Sequence, residues 1–260
     1  MKGFEHLISI ELQAGKKLYF ASDFHLGVPN REESLKREKQ IVKWLDKISS
    51  DASSVFLLGD LFDFWFEYKK AIPKGFVRFQ GKMAELSDSG IPIHILKGNH
   101  DMWMSDYFRD ELGVNIHENP ILLNVGERKF MIGHGDGLGK GNCTFKFFTA
   151  VFRSKPGRWL FSIIHPNLGV SMAQFWSKIS AEKSKIKDKL FLGEKERLFQ
   201  FSKNIELKTH HDYYIFGHRH LSLEMDISKS STYFNLGEWF SEGHYLEFDG
   251  RQALLKHFPF

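Results

Sequence analysis

The feature that most constrains this fold is a series of apolar runs that each end in polar residues. The first half of the chain contains four of these runs, at 17–25, 54–60, 91–99 and 129–136. The segments 31–49 and 74–89 space their apolar side chains as helices do, with charged residues on the opposite face. Strand and helix therefore alternate, which predicts βαβ units and an α/β fold.

The pattern changes after residue 140. Residues 141–204 have no strand signal, and proline with nearby glycine at 156–157 and 166–169 divides them into short helices. Strand signals return over 212–218, 231–237, 244–248 and 252–258. We therefore predict one domain over residues 1–260, with 141–204 as a helical insert that acts as a lid.

The cellular compartment of the protein is indicated by its cysteine content and its N-terminal segment. The single Cys143 excludes an intramolecular disulfide, and charges interrupt the N-terminal segment where a secretory signal would need an unbroken apolar core. No apolar run reaches the roughly 18 residues of a membrane span. We expect a cytoplasmic protein.

Of the net charge of +4, residues 140–189 carry +8, from ten Lys or Arg against two acids, which leaves −4 elsewhere. A basic segment of this kind is typical of an anionic partner and also of a solvated helix face.

The polar residues at the strand ends form a set of nitrogen and oxygen ligands. In chain order they are Asp23, His25, Asp60, Asn99, His134, His218 and His220. Imidazole together with carboxylate suits first-row divalent ions, whereas calcium or magnesium favours oxygen alone. Seven ligands exceed one tetrahedral shell and suit two ions about 3.5–4 Å apart, with Asp60 as the bridge.

Each of these residues has a simpler interpretation when it is taken alone. A strand-end Asp or Asn is more often a turn former, and an isolated His is more often a hydrogen-bonded structural residue. Five such elements in a fixed order favour the metal site. Asp63 could orient a metal ligand or cap the following segment, and the sequence leaves both roles open.

The motifs SDFH, GDLFD, GNHD, GHGD and GHRH, in this order, resemble the signature of the calcineurin-like metallophosphoesterases. The resemblance spans residues 23–220 and implies a four-layer α/β/β/α sandwich with a di-metal site. It also implies which residues hold each ion. Those for the first are Asp23, His25, Asp60 and His220, and those for the second are Asp60, Asn99, His134 and His218.

The chain further resembles one branch of this superfamily, the UDP-2,3-diacylglucosamine pyrophosphohydrolases of lipid A synthesis. The likeness lies in GDLFDFW, SDSGIPIHILKGN, NLGEW, the terminal HFPF and a helical insert after GHGD. It implies hydrolysis of the pyrophosphate bond of UDP-2,3-diacylglucosamine to UMP and 2,3-diacylglucosamine 1-phosphate, by water that two divalent ions, commonly manganese, activate. The implied setting is the cytoplasmic face of the inner membrane, with peripheral attachment.

The composition of the insert is consistent with a nucleotide-linked glycolipid as substrate. Aromatic and aliphatic residues surround Lys146, Arg153, Lys155 and Arg158, which suits an acyl-chain groove beside a diphosphate or helices on an anionic bilayer. An ordinary helical subdomain with its own core would have a similar composition.

Two departures from the branch concern substrate contacts. Many relatives have Arg where this chain has His100, and an acid followed by Tyr where the insert here begins with Asn142 and Phe145. The broader superfamily implies that His100 contacts the scissile phosphate and can protonate the leaving oxygen. We predict that His100 acts mainly in charge stabilisation and positioning, with proton donation secondary, and that Asp101 orients it. The other candidates for substrate binding are Asn99, Asn142, Phe145, Lys178 and Lys183.

Two rival functions use the same fold. One is a metallophosphoesterase that acts on a soluble nucleotide, a phosphoprotein or a nucleic acid, and the other is a non-catalytic lipid-binding or scaffold protein. The aliphatic residues of the insert favour lipid over nucleic acid, so no nucleic-acid partner is expected. The complete ligand set argues against a scaffold.

Overall fold

The structure is a computed structural model that describes residues 7–139, 141, 143–172, 175, 190–241 and 243–259. Two six-stranded sheets form its centre. In spatial order, the first contains β12 (Ala253–His257), β11 (His244–Phe248), β2 (Lys17–Ala21), β3 (Ala52–Leu57), β4 (Ile93–Leu96) and β5 (Asn115–His117). The second contains β1 (Leu7–Ile10), β6 (Ile121–Val125), β7 (Arg128–Gly133), β8 (Tyr213–Phe216), β10 (Ser231–Leu236) and β9 (Ser222–Ser228).

In the described part of the chain, six α-helices have ends that can be given. They are α1 (Arg31–Ile48), α2 (Val77–Asp88), α3 (Tyr107–Leu112), α4 (Cys143–Arg153), α5 (Lys155–Ser162) and, relabelled here in chain order, α6 (Arg197–Glu206). Residues 166–172 are also helical, and Gly193–Lys195 form a 3₁₀ turn. Among the residues in these ranges, no helix has the length and apolar character that crossing a membrane requires.

Alternating side chains of the central strands fill cores on both faces of the first sheet. In β2, Leu18 and Phe20 pack between the two sheets, whereas Tyr19 and Ala21 pack in the core that α1, α2 and α3 cover. Burial on both faces explains why these strands are continuous apolar runs rather than alternating ones.

Helix α6 covers the outer face of the second sheet. Its Leu198 and Phe199 pack with Met131, Tyr214 and Tyr233, which point away from the core between the sheets. The order of layers is therefore helix, sheet, sheet, helix, and the predicted α/β/β/α sandwich is confirmed.

The chain between β7 and β8 carries α4, α5 and the helical residues 166–172, and β7 and β8 are parallel neighbours. Phe152 and Phe161 pack against Phe66 and Trp103, which lie in the loops after β3 and β4. The Trp103 indole Nε1 also donates to the Phe152 carbonyl at 2.8 Å. Helices of the predicted insert thus rest on the loops that follow two strands of the first sheet.

Helix α6 extends across the predicted end of the insert at residue 204. Because its apolar face packs on the second sheet, α6 belongs to the outer layer of the sandwich as described here. The limits 141–204 for an insert stay a prediction.

Candidate metal centre

The loops that follow strands of the two sheets meet at one edge of the sandwich. Within the first sheet, the Asp23 backbone N–H donates to the Gly59 carbonyl at 3.0 Å. In the second, the Gly217 N–H donates to the His134 carbonyl at 3.0 Å. The His218 N–H joins the two sheets by donating to Asp23 Oδ2 at 3.0 Å. Carboxyl ends of strands from both sheets therefore supply one site, as expected for ligand sites in α/β folds.

A first cluster contains Asp23, His25, Asp60 and His220, whose potential ligand atoms all lie within 4.8 Å of one another. His25 Nε2 and His220 Nε2 face each other at 3.1 Å, and Asp23 Oδ1 lies 3.2 Å from His220 Nε2. Asp23 Oδ1 is buried and accepts no hydrogen bond from the described residues. A buried carboxylate oxygen without a donor is costly, and a cation among these atoms would remove that cost. The donor set fits a divalent ion.

A second cluster contains Asp60, His134 and His218, again with ligand atoms within 4.8 Å. Asp60 Oδ2 lies 3.3 Å from His134 Nε2 and 3.8 Å from His25 Nε2, so one oxygen faces both clusters. Asn99 Oδ1 adds an amide oxygen 3.3 Å from His134 Nε2. His134 Nδ1 donates to the Leu58 carbonyl at 2.7 Å, which leaves the Nε2 lone pair directed into the cluster.

The charges of the centre favour a cation. Burial alone would lower the pKa of His25, but the carboxylates of Asp23 and Asp63 raise it to about 10. Burial likewise acts to lower the pKa of His134, and the charge of Asp60 raises it to about 10. Burial, reinforced by the charge of His134, lowers the pKa of His218 to about 3. The carboxylates therefore stabilise positive charge at His25 and His134, and a divalent ion between the rings would take the place of their Nε2 protons.

The backbone of the two clusters is strained. In the described part of the chain, six non-glycine residues have a left-handed φ, and five of them are predicted ligands. These five are Asp23 (56°), His25 (42°), Asp60 (52°), His218 (67°) and His220 (56°). Such conformations cost about 1–3 kcal/mol each and concentrate at functional sites. Their coincidence with the ligand motifs supports a functional role for this edge of the sandwich.

His100 lies at the side of the first cluster, with its ring 4.9 Å from that of His25 in an edge-to-face arrangement. Its Nδ1 lies 2.8 Å from the Asp63 carbonyl and donates to it. Asp63 Oδ1 also lies 3.7 Å from both His25 Nδ1 and His100 Nδ1. Of the two roles left open for Asp63, the structure favours orientation of these two histidines.

The hydrogen bonds of Asp101 differ from the predicted one with His100. Its buried carboxylate accepts from the Gly98 N–H at 2.7 Å through Oδ1 and from the Leu61 N–H at 2.8 Å through Oδ2. Both oxygens are thereby used to join the loops after β3 and β4. Asp101 stabilises the loop conformations that present Asp60 and Asn99, and Asp63 contacts His100 in its place.

The other predicted substrate residues lie largely outside the described residues. Asn142, Lys178 and Lys183 are not described, and of Phe145 only the backbone, within α4, is described. Arg153 at the end of α4 is close to the centre, with Nη2 3.0 Å from Asp136 Oδ2 and 3.3 Å from the Gly98 carbonyl. The sequence places Arg153 in a basic segment, but only the packing of α4 brings it beside the GNHD loop.

The chain is similar to known proteins in sequence and, more distantly, in structure. The family model for calcineurin-like phosphoesterases matches residues 16–222. A protein of Porphyromonas gingivalis named UDP-2,3-diacylglucosamine hydrolase is 35% identical over 92% of this chain and 97% of its own length. One of Vibrio atlanticus with the same name is 24% identical over 94% of this chain and 98% of its own length. A crystal structure of a predicted phosphoesterase from Streptococcus pneumoniae is 12% identical, covers 94% of this chain and 90% of its own, and has a TM-score of 0.41.

Replacement of Gly98 should disrupt the centre. A Cβ at this position would lie 2.5 Å from the Asp60 backbone N and closer still to Asp60 Oδ1, so the carboxylate between the clusters would have to move. We expect Gly98→Ala to lose most of its bound metal, measured by elemental analysis, and to lower the free energy of unfolding by about 1–3 kcal/mol.

Gly81→Ala is the matched control, because a Cβ there meets no atom within 4 Å and the position lies within α2. This variant should keep its metal and gain about 0.5–1 kcal/mol of stability. Full metal content in Gly98→Ala would contradict the close approach of Gly98 to Asp60.

Proposed function

Since the chain belongs to the calcineurin-like phosphoesterase family, whose members are hydrolases, we propose that it hydrolyses the pyrophosphate bond of UDP-2,3-diacylglucosamine. The products are UMP and 2,3-diacylglucosamine 1-phosphate. The observation that carries the proposal is the pair of ligand clusters that share Asp60 Oδ2, in a chain aligned over nearly its whole length with a hydrolase of this substrate.

In this proposal each cluster holds one divalent ion. Asp23, His25, Asp60 and His220 hold the first ion, and Asp60, Asn99, His134 and His218 hold the second, with manganese as the metal. Two such ions supply an activated water and neutralise charge at phosphorus. The protein fixes the positions of both through the left-handed backbone of five ligands and the Asp60 carboxylate between them.

His100 contributes a proton-bearing ring nitrogen at the substrate. Because Nδ1–H is donated to the Asp63 carbonyl, Nε2 is the nitrogen left for a phosphoryl oxygen, and it carries a proton for that oxygen in the imidazolium form of the ring. The ring is partly exposed, as a substrate contact requires. UMP is a good leaving group, so His100 acts mainly by positioning the diphosphate and stabilising its charge.

The lipid part of the substrate has a cavity next to this centre. The cavity has a volume of about 600 Å³ and lies between the loop after β3 and the helical residues 166–171. Phe64, Ile72, Phe76 and Val170 line it together with Asp63. Its size and largely apolar lining suit part of an acylated sugar, and Asp63 at its edge connects it to His25 and His100.

Exposed apolar side chains support attachment to the cytoplasmic face of the inner membrane. Phe147, Phe148, Trp159, Leu160 and Ile163 are each more than half exposed. They lie on and just after α4 and α5, which also carry Lys146, Arg153, Lys155 and Arg158. Apolar residues with interspersed basic ones suit helices on an anionic bilayer surface.

Vesicle flotation tests this attachment. We expect the protein to float with vesicles that contain anionic phospholipid, and Trp159→Ala to float less, because it removes a large exposed ring. Val77→Ala, which removes an exposed apolar side chain at the start of α2, is the control and should float like the unmodified protein. Equal flotation of both variants would exclude α5 as a membrane-binding helix.

UMP release tests the reaction itself. With added Mn²⁺, the protein should release UMP from UDP-2,3-diacylglucosamine, and EDTA should abolish this activity until metal is restored. Cleavage of bis(4-nitrophenyl) phosphate without UMP release would replace the lipid substrate by another phosphoester. Cleavage of neither compound would favour a non-catalytic protein.

His100→Ala separates a substrate role from a metal role. The variant should keep both ions by elemental analysis and lose about a hundredfold or more of kcat for UMP release, since a donor at the phosphoryl group is removed. His210→Ala, which removes a half-exposed histidine paired with Glu206, is the control and should keep kcat. Loss of metal from His100→Ala would show that His100 is structural instead.

A further inference from the structure

A buried ion pair connects the chain that precedes α6 to one of the ligand loops. Arg219 Nε donates to Glu196 Oε2 at 3.0 Å, and its Nη2 donates to Glu196 Oε1 at 3.2 Å. The Glu196 side chain is almost fully buried, and Arg219 is largely so. Two parallel hydrogen bonds between guanidinium and carboxylate fix both distance and orientation. The pair therefore holds two distant parts of the chain in one geometry.

The same two side chains hold the backbone of residues 190–192. Arg219 Nη2 donates to the Leu190 carbonyl, and the Leu192 N–H donates to Glu196 Oε1 at 3.0 Å. The ion pair thus has backbone partners on either side of Phe191. This stretch, Leu190–Leu192, is called the apolar segment below.

The ion pair is directly attached to the metal centre. Arg219 lies between His218 and His220 in the chain, and its backbone N–H donates to the Gly217 carbonyl at 2.8 Å. Leu198, just after Glu196, packs so closely on the GHGD loop that a Cβ at Gly135 would lie 2.7 Å from its Cδ1. Residues 190–198 are therefore fastened to the loops that carry three of the predicted ligands.

The side chains of the apolar segment point into solvent although their backbone is fixed. Leu190, Phe191 and Leu192 are 60%, 51% and 47% exposed. Three consecutive exposed apolar residues on a held backbone are typical of a surface that binds an apolar ligand. The Arg219 bond to the Leu190 carbonyl keeps them beside the His218 to His220 loop, whose two histidines the proposed function assigns to the ions.

We propose that Arg219 is a positioning residue that, with Glu196, holds the apolar segment against the metal centre to bind an acyl chain of the substrate. This inference rests on the proposed function. Arg219 does not touch the reacting atoms. It sets the distance between the lipid-binding surface and the ions, so that one substrate reaches both at the same time.

Substitution of Arg219 should therefore affect lipid binding more than chemistry. We expect Arg219→Ala to raise KM for UDP-2,3-diacylglucosamine about tenfold or more while kcat falls much less. Hydrolysis of bis(4-nitrophenyl) phosphate, which has no acyl chain, should be affected far less than that of the lipid. Arg219→Lys should rescue only part of KM, because an ammonium group cannot form the two parallel bonds to Glu196.

Amide exchange gives a readout that does not depend on activity. Because the Leu192 N–H is bonded to Glu196, its hydrogen exchange should accelerate in Arg219→Ala and in Glu196→Ala, with no further acceleration in the double variant. Arg109→Ala, which breaks an exposed pair with Asp110, is the matched control and should change neither KM nor this exchange.

Three results would overturn the inference. The first is that Arg219→Ala loses hydrolysis of the lipid and of the soluble diester equally and also loses metal. The second is an unchanged KM for UDP-2,3-diacylglucosamine, and the third is an unchanged hydrogen-exchange rate of the Leu192 N–H. Loss of vesicle flotation with an unchanged KM in detergent would assign the segment to the bilayer rather than the substrate. If the unmodified protein releases no UMP, the proposed function fails, and the substrate role of the apolar segment fails with it. The exchange data would still decide whether the ion pair holds the apolar segment.

Discussion

The Asp60 carboxylate is the group on which the centre depends, because its two oxygens have separate tasks. Oδ1 accepts from the His100 N–H at 2.9 Å and so ties the loop after β3 to the loop after β4. Oδ2 is directed between His25 and His134 and faces both clusters. This arrangement requires the two loops to approach within van der Waals contact, which is possible only because Gly98 has no side chain there. The conformation of a glycine loop thus determines whether one carboxylate can face both clusters.

The same constraint explains the role of Asp101. Its carboxylate accepts N–H groups from Gly98 and Leu61, so a buried charge holds together the loops that Asp60 also joins. A sequence pattern identifies which residues stand at a strand end, but not which backbone donors a carboxylate will find. His100 and Asp101 are neighbours in the chain, and the predicted contact rests on the general role of a carboxylate as the partner that orients an imidazole. The turn directs them apart, and Asp63 contacts the ring instead.

The sequence predicts those other parts of the fold that have a recognisable pattern of apolar residues within a short stretch of the chain. The strands β2, β3, β4, β7 and β8 are buried on both faces and read as apolar runs with polar ends, and α1 and α2 have clear helical spacing. Strand β5 spans only three residues, and β9 has no buried residue, so neither has a run that could be recognised. The tertiary placement of Arg153 and of the pair between Arg219 and Glu196 depends on contacts between residues distant in sequence. No pattern of spacing contains that information.

The chain combines a buried polar centre with exposed apolar side chains on its helices. The centre lies where two sheets end, and its strained ligand backbone is held in place by hydrogen bonds from both sheets. The apolar side chains lie on helices and on the segment before α6, which the sheets do not include. Contacts between these parts decide how far the apolar side chains lie from the centre. Three sets of contacts connect a ligand loop or its neighbour to the helical region. They are the Trp103 bond to Phe152, the Arg153 bonds to Asp136 and Gly98, and the Arg219 pair with Glu196. These hydrogen bonds, together with the packing of Phe152 and Phe161 on Phe66 and Trp103, fix the position of the helical region relative to the centre.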